Sequence, residues 1–193
     1  MKIAYEPLDT HSLENILIGM SDNFATRESM SKALKIKSRE LQTLFSPLIQ
    51  GCFDHSYVVK DLETNNIIGG IVCNDLIFFM NAHFSHDFSP ELESILSLIS
   101  ELEHNFIGKH HDLIKERSYL YQFAIYVDEK FKGKGIGMNL LKLSEESAKK
   151  KKFKNIMTIP TGAITQHLYL NKLGFKKKEE IIYKDFQFNG KNV

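Results

Sequence analysis

Apolar residues return along the chain with two different periods, and the switches between them outline the elements. Ile3 and Tyr5 alternate with polar neighbours ahead of Pro7, which predicts a short strand. Asp9, Thr10, His11 and Ser12 then offer caps for a helix carrying Leu13, Ile16, Leu17 and Met20 at helical spacing. A second helix is expected to start near Thr26 or Ser29, because Met30, Leu34, Leu41, Leu44 and Leu48 recur at helical spacing up to Pro47 and Gly51. Its other face, with Lys32, Lys35, Lys37, Arg39 and Glu40, is a solvated one. From His55 the period changes to two, and the runs 56–60 and 67–73, joined by the polar turn 63–66, predict a hairpin. Residues 81–90 predict a loop. Ser89, Pro90, Glu91 and Glu93 then open a helix with a cap, a proline at the first position and acids in the first turn. Leu92, Ile95, Leu96, Ile99, Leu102 and Phe106 form one apolar stripe on it, suited to a core.

The most apolar strand candidate is 119–127, which runs into the glycine-rich loop 132–137. A helix follows with Leu140, Leu141, Leu143 and Ala148, and its last turn carries Lys149, Lys150, Lys151 and Lys152, the charges that favour a helix C-terminus. A strand at 155–159, Pro160 and a short helix through Leu168 and Leu170 that stops at Gly174 come next. The tail 175–188 predicts one or two further strands, with turns near Lys184 and Asp185 and at Asn189 and Gly190. No internal repeat or linker interrupts this order, so one mixed α/β domain over 1–193, with a helical insertion at about 81–117, accounts for the chain.

Composition narrows the function class. With 25 Lys plus Arg against 24 Asp plus Glu in 193 residues, the net charge is +1, which argues against bulk attraction to nucleic acid or an acidic membrane. No apolar stretch is long enough to cross a bilayer, and 1–7 lacks the apolar region of a signal peptide, so a cytoplasmic protein is expected. Cys52 and Cys73 stand in apolar surroundings without a C-x-x-C spacing, and are expected as buried free thiols. His83, His86, His104, His110 and His111 cluster in the insertion without zinc-ligand spacing, so surface or substrate-rim positions are expected for them and no metal.

The 119–150 unit carries the chemistry. Gly133, Gly135 and Gly137 let backbone N–H groups approach a ligand closely, and the following helix aims its unpaired N–H groups and positive dipole end at the same point. That combination suits a phosphate or pyrophosphate. Neither the Walker string nor G-x-G-x-x-G occurs, since Gly137 is followed by Met138, Asn139 and Leu140. What stands here is Lys132-x-x-Gly135-x-Gly137 after a strand ending at Val127.

This segment resembles the acetyl-CoA loop of the GCN5-related N-acetyltransferases, usually [RQ]-x-x-G-x-[GA], with Lys132 replacing Arg or Gln. Asn171-Lys172-Leu173-Gly174-Phe175 is similar to the ending that closes the coenzyme A region in that superfamily. Within it, Phe24 to Met30, the hairpin and the helical insertion resemble the arylalkylamine or dopamine N-acetyltransferase branch. The resemblance implies a central twisted, mostly antiparallel sheet flanked by helices, acetyl-CoA as co-substrate, and a small primary amine as acceptor, in a monomer or homodimer. The cofactor would meet Lys132, Gly133, Lys134, Gly135, Ile136, Gly137 and Met138 at the loop, and the backbone of Ile125, Tyr126 and Val127, where one N–H would stabilise an oxyanion. The acceptor cleft would be built by the first two helices, the insertion and the C-terminal strands.

The branch's proposed base falls on Glu28. An alkylamine with a pKa near 10 is only about one part in a thousand neutral at pH 7, and only the neutral amine attacks a thioester; a carboxylate, through ordered water, can take that proton. Beside that role stands a structural one, in the first turn of a helix capped by Thr26. Many members place a tyrosine four residues before the final glycine as proton donor, but that position is Leu170 here, and Tyr169 is turned about 100° from it on an α-helix. The branch instead has two hydroxyl residues similar to Thr161 and Thr165, so Thr161, Thr165 and Tyr169 are the candidates. Acetylation of a protein, peptide or polyamine, and a non-catalytic acyl-CoA-binding module, remain as rival readings.

Overall fold

The computed structural model describes residues 2–82 and 87–192. Its frame is a five-stranded sheet in sequential order: β1 (Ile3–Pro7), β2 (Tyr57–Asp61), β3 (Ile67–Asp75), β4 (Tyr119–Val127) and β5 (Asn155–Met157). The first four strands are antiparallel neighbours, and β5 runs parallel to β4.

Three helices precede β2. α1 (Leu13–Arg27) begins after Ser12, whose N–H and hydroxyl both donate to Asp9, at 2.8 and 2.6 Å. The second expected helix is two. α2 (Ser29–Ala33) ends before Lys35, which adopts φ 56°, and α3 (Ser38–Gln50) starts afresh and contains Pro47 in its last turn. The left-handed residue breaks a register that the apolar spacing spans without interruption. Thr26 is not a cap. It lies inside α1 with its hydroxyl on the Asp22 carbonyl at 2.6 Å, and the residue capping α2 is Glu28.

α4 (Leu76–Met80) leads toward the insertion helix α5 (Pro90–His110), whose expected cap is present, Ser89 Oγ accepting the Leu92 N–H at 3.2 Å. After β4, α6 (Ile136–Lys150) makes the crossover to β5, and α7 (Ala163–His167) runs into a π-helical turn over Leu168–Lys172. The tail departs from expectation: 176–182 forms no strand, a 3₁₀ turn occupies Tyr183–Asp185, and only the two-residue strands β6 (Gln187–Phe188) and β7 (Lys191–Asn192) pair.

The sheet separates two apolar clusters. On one face Ile16, Met20, Leu44, Phe45, Ile49, Leu92 and Leu98 join α1, α3 and α5 to Val58, Val72 and Tyr126. On the other, Leu140, Leu141 and Ala148 of α6 pack with Val59, Ile71, Leu120 and Tyr169. Both cysteines are free and buried, and burial pushes the Cys52 thiol up to about 12 and raises that of Cys73 further. Among the described residues no helix is long and apolar enough to cross a membrane.

Candidate active site

The site is shaped by how β4 and β5 meet. Their parallel ladder covers only Tyr119 with Asn155, Leu120 with Ile156, and Tyr121 with Met157. Past it, Thr158 Oγ1 donates to the Gln122 carbonyl at 2.9 Å, and the rest of β4 has no ladder partner on that side among the described residues. On its other side β4 is paired with β3 to its end at Val127, but the register slips between Val72, opposite Ala124, and Cys73, opposite Gln122. Phe123 is therefore an extra residue, a β-bulge that leaves a backbone group out of the ladder at the mouth of the split.

The open edge leads to the glycine loop. A 3₁₀ turn at Glu129–Phe131 consumes the Lys132 N–H, which donates to the Glu129 carbonyl at 3.0 Å. Lys132 thus brings a side chain to the loop and not a backbone donor. Gly133 and Gly135 both adopt φ 76°, the left-handed region that L side chains rarely occupy. Gly135 is the N-cap of α6, and the helix's first backbone bond is Asn139 N–H to the Gly135 carbonyl at 3.1 Å. The amides of Ile136, Gly137 and Met138 precede it, at the positive end of a 15-residue helix. These residues fit a pyrophosphate, and the open β4 edge continues from them toward the bulge. Ile125 and Val127 pack toward α6, Tyr126 packs against α1, and the Val127 carbonyl accepts from Asn23 Nδ2 at 3.3 Å.

A cavity of about 750 Å³ lies beside the split, lined by Glu28, Tyr121 to Ile125, Thr158 to Thr161, Thr165 and Tyr169. Its opposite wall is apolar, with Phe24, Phe45, Phe79, Leu92 and Ile95. The Phe24, Phe45, Phe79 and Phe123 rings hold one another in edge and stacked contacts at 5.1 to 5.7 Å. The first helices and the insertion build this cavity as expected, but the C-terminal strands do not. The tail 175–183 instead lines a second cavity of about 920 Å³ across β5, together with α5 and the end of α6. Glu103, Thr158 to Thr161 and Tyr169 border both.

Half-buried Glu28 lines the 750 Å³ cavity while it caps α2, Oε1 accepting the Met30 N–H at 3.1 Å and Oε2 the Ser31 N–H at 2.7 Å. Each carboxylate oxygen keeps a second lone pair for a water or an amine. The Thr165 hydroxyl donates to the Gly162 carbonyl at 2.8 Å, and the Thr161 carbonyl accepts from the Tyr183 hydroxyl at 2.8 Å. Burial, reinforced by the Glu28 charge, raises the Tyr183 phenol to about 12.

Tyr169 is the point at which an α-helical projection misleads. The π turn adds one residue, with Leu173 N–H on the Leu168 carbonyl at 3.0 Å, so Tyr169 faces inward at 2% exposure while Leu170 is 41% exposed. Its ring meets Phe175 edge-on at 5.0 Å and its hydroxyl engages Thr158. Burial holds its phenol well above the ordinary tyrosine range.

Sequence reasoning passed over Gln122, Phe123, Thr158 and Glu103. Gln122 is buried, with Nε2 on Ser144 Oγ at 2.5 Å and no partner for Oε1. Glu103 left a trace, since its spacing from Ile99 and Phe106 puts a carboxylate inside the apolar stripe of α5. Among the histidines, exposed His104 stands on the rim of the 750 Å³ cavity and His110 on the other, whereas His83 and His86 lie outside the described residues.

An open-edged strand pair, a glycine loop on a helix end and an adjoining cleft can hold an extended phosphate-bearing ligand beside a small molecule. The model of the Acetyltransferase (GNAT) family matches residues 27–175. The fold is similar to that of arylalkylamine N-acetyltransferase 2 from Aedes aegypti, with TM-score 0.77 and 19% identity over 98% of this chain and 89% of that one. It is also similar to the Drosophila melanogaster polyamine N-acetyltransferase, an enzyme that forms N-acetylagmatine, at TM-score 0.75 and 14% identity over 99% and 91%. The C-terminal condensation domain of Ebony, in complex with β-alanyl-dopamine, matches at TM-score 0.74 and 17% identity over 100% and 91%. The chain belongs to the GNAT acetyltransferase family, as an N-acetyltransferase.

Proposed function

We propose that this chain transfers the acetyl group of acetyl-CoA directly to the primary amine of a small molecule. The observation that carries this reading is the lining of the 750 Å³ cavity, which holds Glu28 and Glu103 but no lysine or arginine among its described residues. In a chain with 25 basic residues, such a wall favours a cationic acceptor. The volume lies within the range of about 300–1,000 Å³ typical of small-molecule sites, which supports a small amine over a peptide. The two structural relatives named for arylalkylamines and polyamines lend it support.

In this reading, Gly133 to Met138 and the Lys132 side chain hold the diphosphate, and the backbone of Phe123 to Val127 orients the arm that follows it. Bound there, acetyl-CoA supplies an acetyl group activated as a thioester. Glu28 takes the ammonium proton through an ordered water, since both its oxygens already serve α2 and yet retain acceptor capacity. Tyr169 Oη, on the cleft lining, hydrogen-bonds the leaving thiolate; burial raises its phenol, so it serves as a neutral donor. The Thr165 hydroxyl donates to the Gly162 carbonyl, and the Thr161 carbonyl accepts from Tyr183, contacts that shape the same cleft. The whole chain acts as one domain, and two buried free thiols support a cytoplasmic setting.

Thiol release from acetyl-CoA across a panel of primary amines tests the reading, with Glu28→Gln beside the native protein. The native protein is expected to turn over, and the variant to lose about a hundredfold or more near neutral pH. The variant's rate should then climb with pH as the free amine fraction rises. Full activity of Glu28→Gln at every pH removes Glu28 as base, and cofactor binding without turnover on any amine supports the non-catalytic module instead.

A further inference from the structure

Resting on the amine-acetylating reading of the cleft, we propose that Glu103 and Tyr121 form a second cation subsite, which selects acceptors carrying a positive group remote from the reacting amine. Glu103 is the one residue of α5 that lines both cavities, so it stands where the acceptor cleft passes into the space across β5. Tyr121, 3% exposed in β4, donates its hydroxyl to the Glu103 carboxylate and so fixes it against the strand.

No lysine, arginine or histidine among the described residues forms an ion pair with the Glu103 carboxylate, although Lys149, Lys154, Lys176, Lys177 and Lys178 all border the adjoining cavity. Burial disfavours its charged form and raises its pKa, and an arriving ammonium or guanidinium would hold it ionised. Glu28 is committed to α2 and to the reacting amine, which leaves Glu103 as the second anion of a cleft with no lysine or arginine in its described lining. Two carboxylates in one cleft match the two ends of a diamine or an aminoalkylguanidine. The apolar lining of the same cleft, with Phe45, Phe79 and Leu92, suits a methylene chain.

The test compares 1,4-diaminobutane with butylamine, which has the same chain and one charge fewer. The readouts are the ratio of their kcat/KM values and, by calorimetry on protein saturated with coenzyme A, the ratio of their affinities. The native protein is expected to favour the diamine about tenfold or more, as a hydrogen bond to a charged group allows. Glu103→Gln keeps the shape and the Tyr121 contact, and should bring both ratios close to one. Glu103→Asp, which keeps the charge on a shorter stem, should restore part of the preference. If amines are acetylated and the ratio is the same in native protein and Glu103→Gln, the subsite is wrong while the transferase reading stands. If no amine turns over, calorimetry still decides, and equal affinities of the native protein for both probes overturn the subsite.

Discussion

Replacing Gly137 with alanine should raise stability and leave cofactor affinity close to native, whereas alanine at Gly135 should weaken both. Gly137 is the second residue of α6, and unlike Gly133 and Gly135 it does not need a left-handed backbone. A methyl built on it meets only Val127 Cγ2, at 3.8 Å, an ordinary contact. Alanine there removes unfolded-chain entropy and improves helix propensity, a gain of about 0.4–1 kcal/mol. For a domain of this size that is roughly 1–4 °C in Tm. The cofactor should tolerate the methyl, because the motif accepts glycine or alanine at this position and alanine keeps the Ile136, Gly137 and Met138 amides that open the helix. Gly135→Ala is different, since it forces φ 76° on an L side chain at the N-cap; losing one charge-assisted bond to the diphosphate there costs about 1.5–3 kcal/mol, or roughly ten- to a hundredfold in affinity. Differential scanning fluorimetry without ligand and calorimetry with coenzyme A read the two effects separately. A Gly135→Ala protein that binds coenzyme A as tightly as the native one would refute the assignment of these amides to the diphosphate.

Other substitutions and conditions test the remaining elements. Tyr169→Phe keeps the edge contact with Phe175 but removes the hydroxyl, so kcat should fall about tenfold or more while Tm stays within a few degrees; an unchanged kcat excludes Tyr169 as proton donor. Gly19→Ala pushes a methyl to 2.5 Å from the Tyr126 hydroxyl and 2.8 Å from its ring, so overpacking should cost about 1–3 kcal/mol in a denaturant titration. Burial raises Cys52 to about 12 and lifts Cys73, Tyr126 and Tyr169 above their ordinary values. Above about pH 9 the unfolded chain therefore binds fewer protons than the folded one, and stability should fall as pH rises from there, read as Tm against pH.

The features legible in the sequence are those written by local rules. Ser89 and Pro90 start α5, and 119–127 is a strand, because a cap, a fixed φ and a long apolar run act within a few residues. The loop was legible through its glycines, two of which prove to need positive φ. What was not legible depends on partners distant in sequence. The bulge at Phe123 exists only relative to the register of β3, and nothing in Gln122 to Ala124 marks it. The π turn at Leu168–Lys172 keeps Tyr169 buried against Phe175, so core packing overrides the regular α-helical turn that one-dimensional counting assumes. Glu28 serves as helix cap and cleft carboxylate together, and the structural and catalytic readings of its sequence position are not exclusive. In the tail, the run 175–188 suggests strands, but 176–182 reads Lys-Lys-Lys-Glu-Glu-Ile-Ile without a two-residue period, and the edge of β5 it would join is three residues long.

The most direct measurement is mass spectrometry of a mixture of the native protein, acetyl-CoA labelled in its acetyl group, 1,4-diaminobutane, an arylalkylamine and a lysine-containing peptide. The account predicts label on the nitrogen of a small amine, matched by free thiol and highest for the diamine. Label on the peptide alone, or none while coenzyme A is bound, would contradict it.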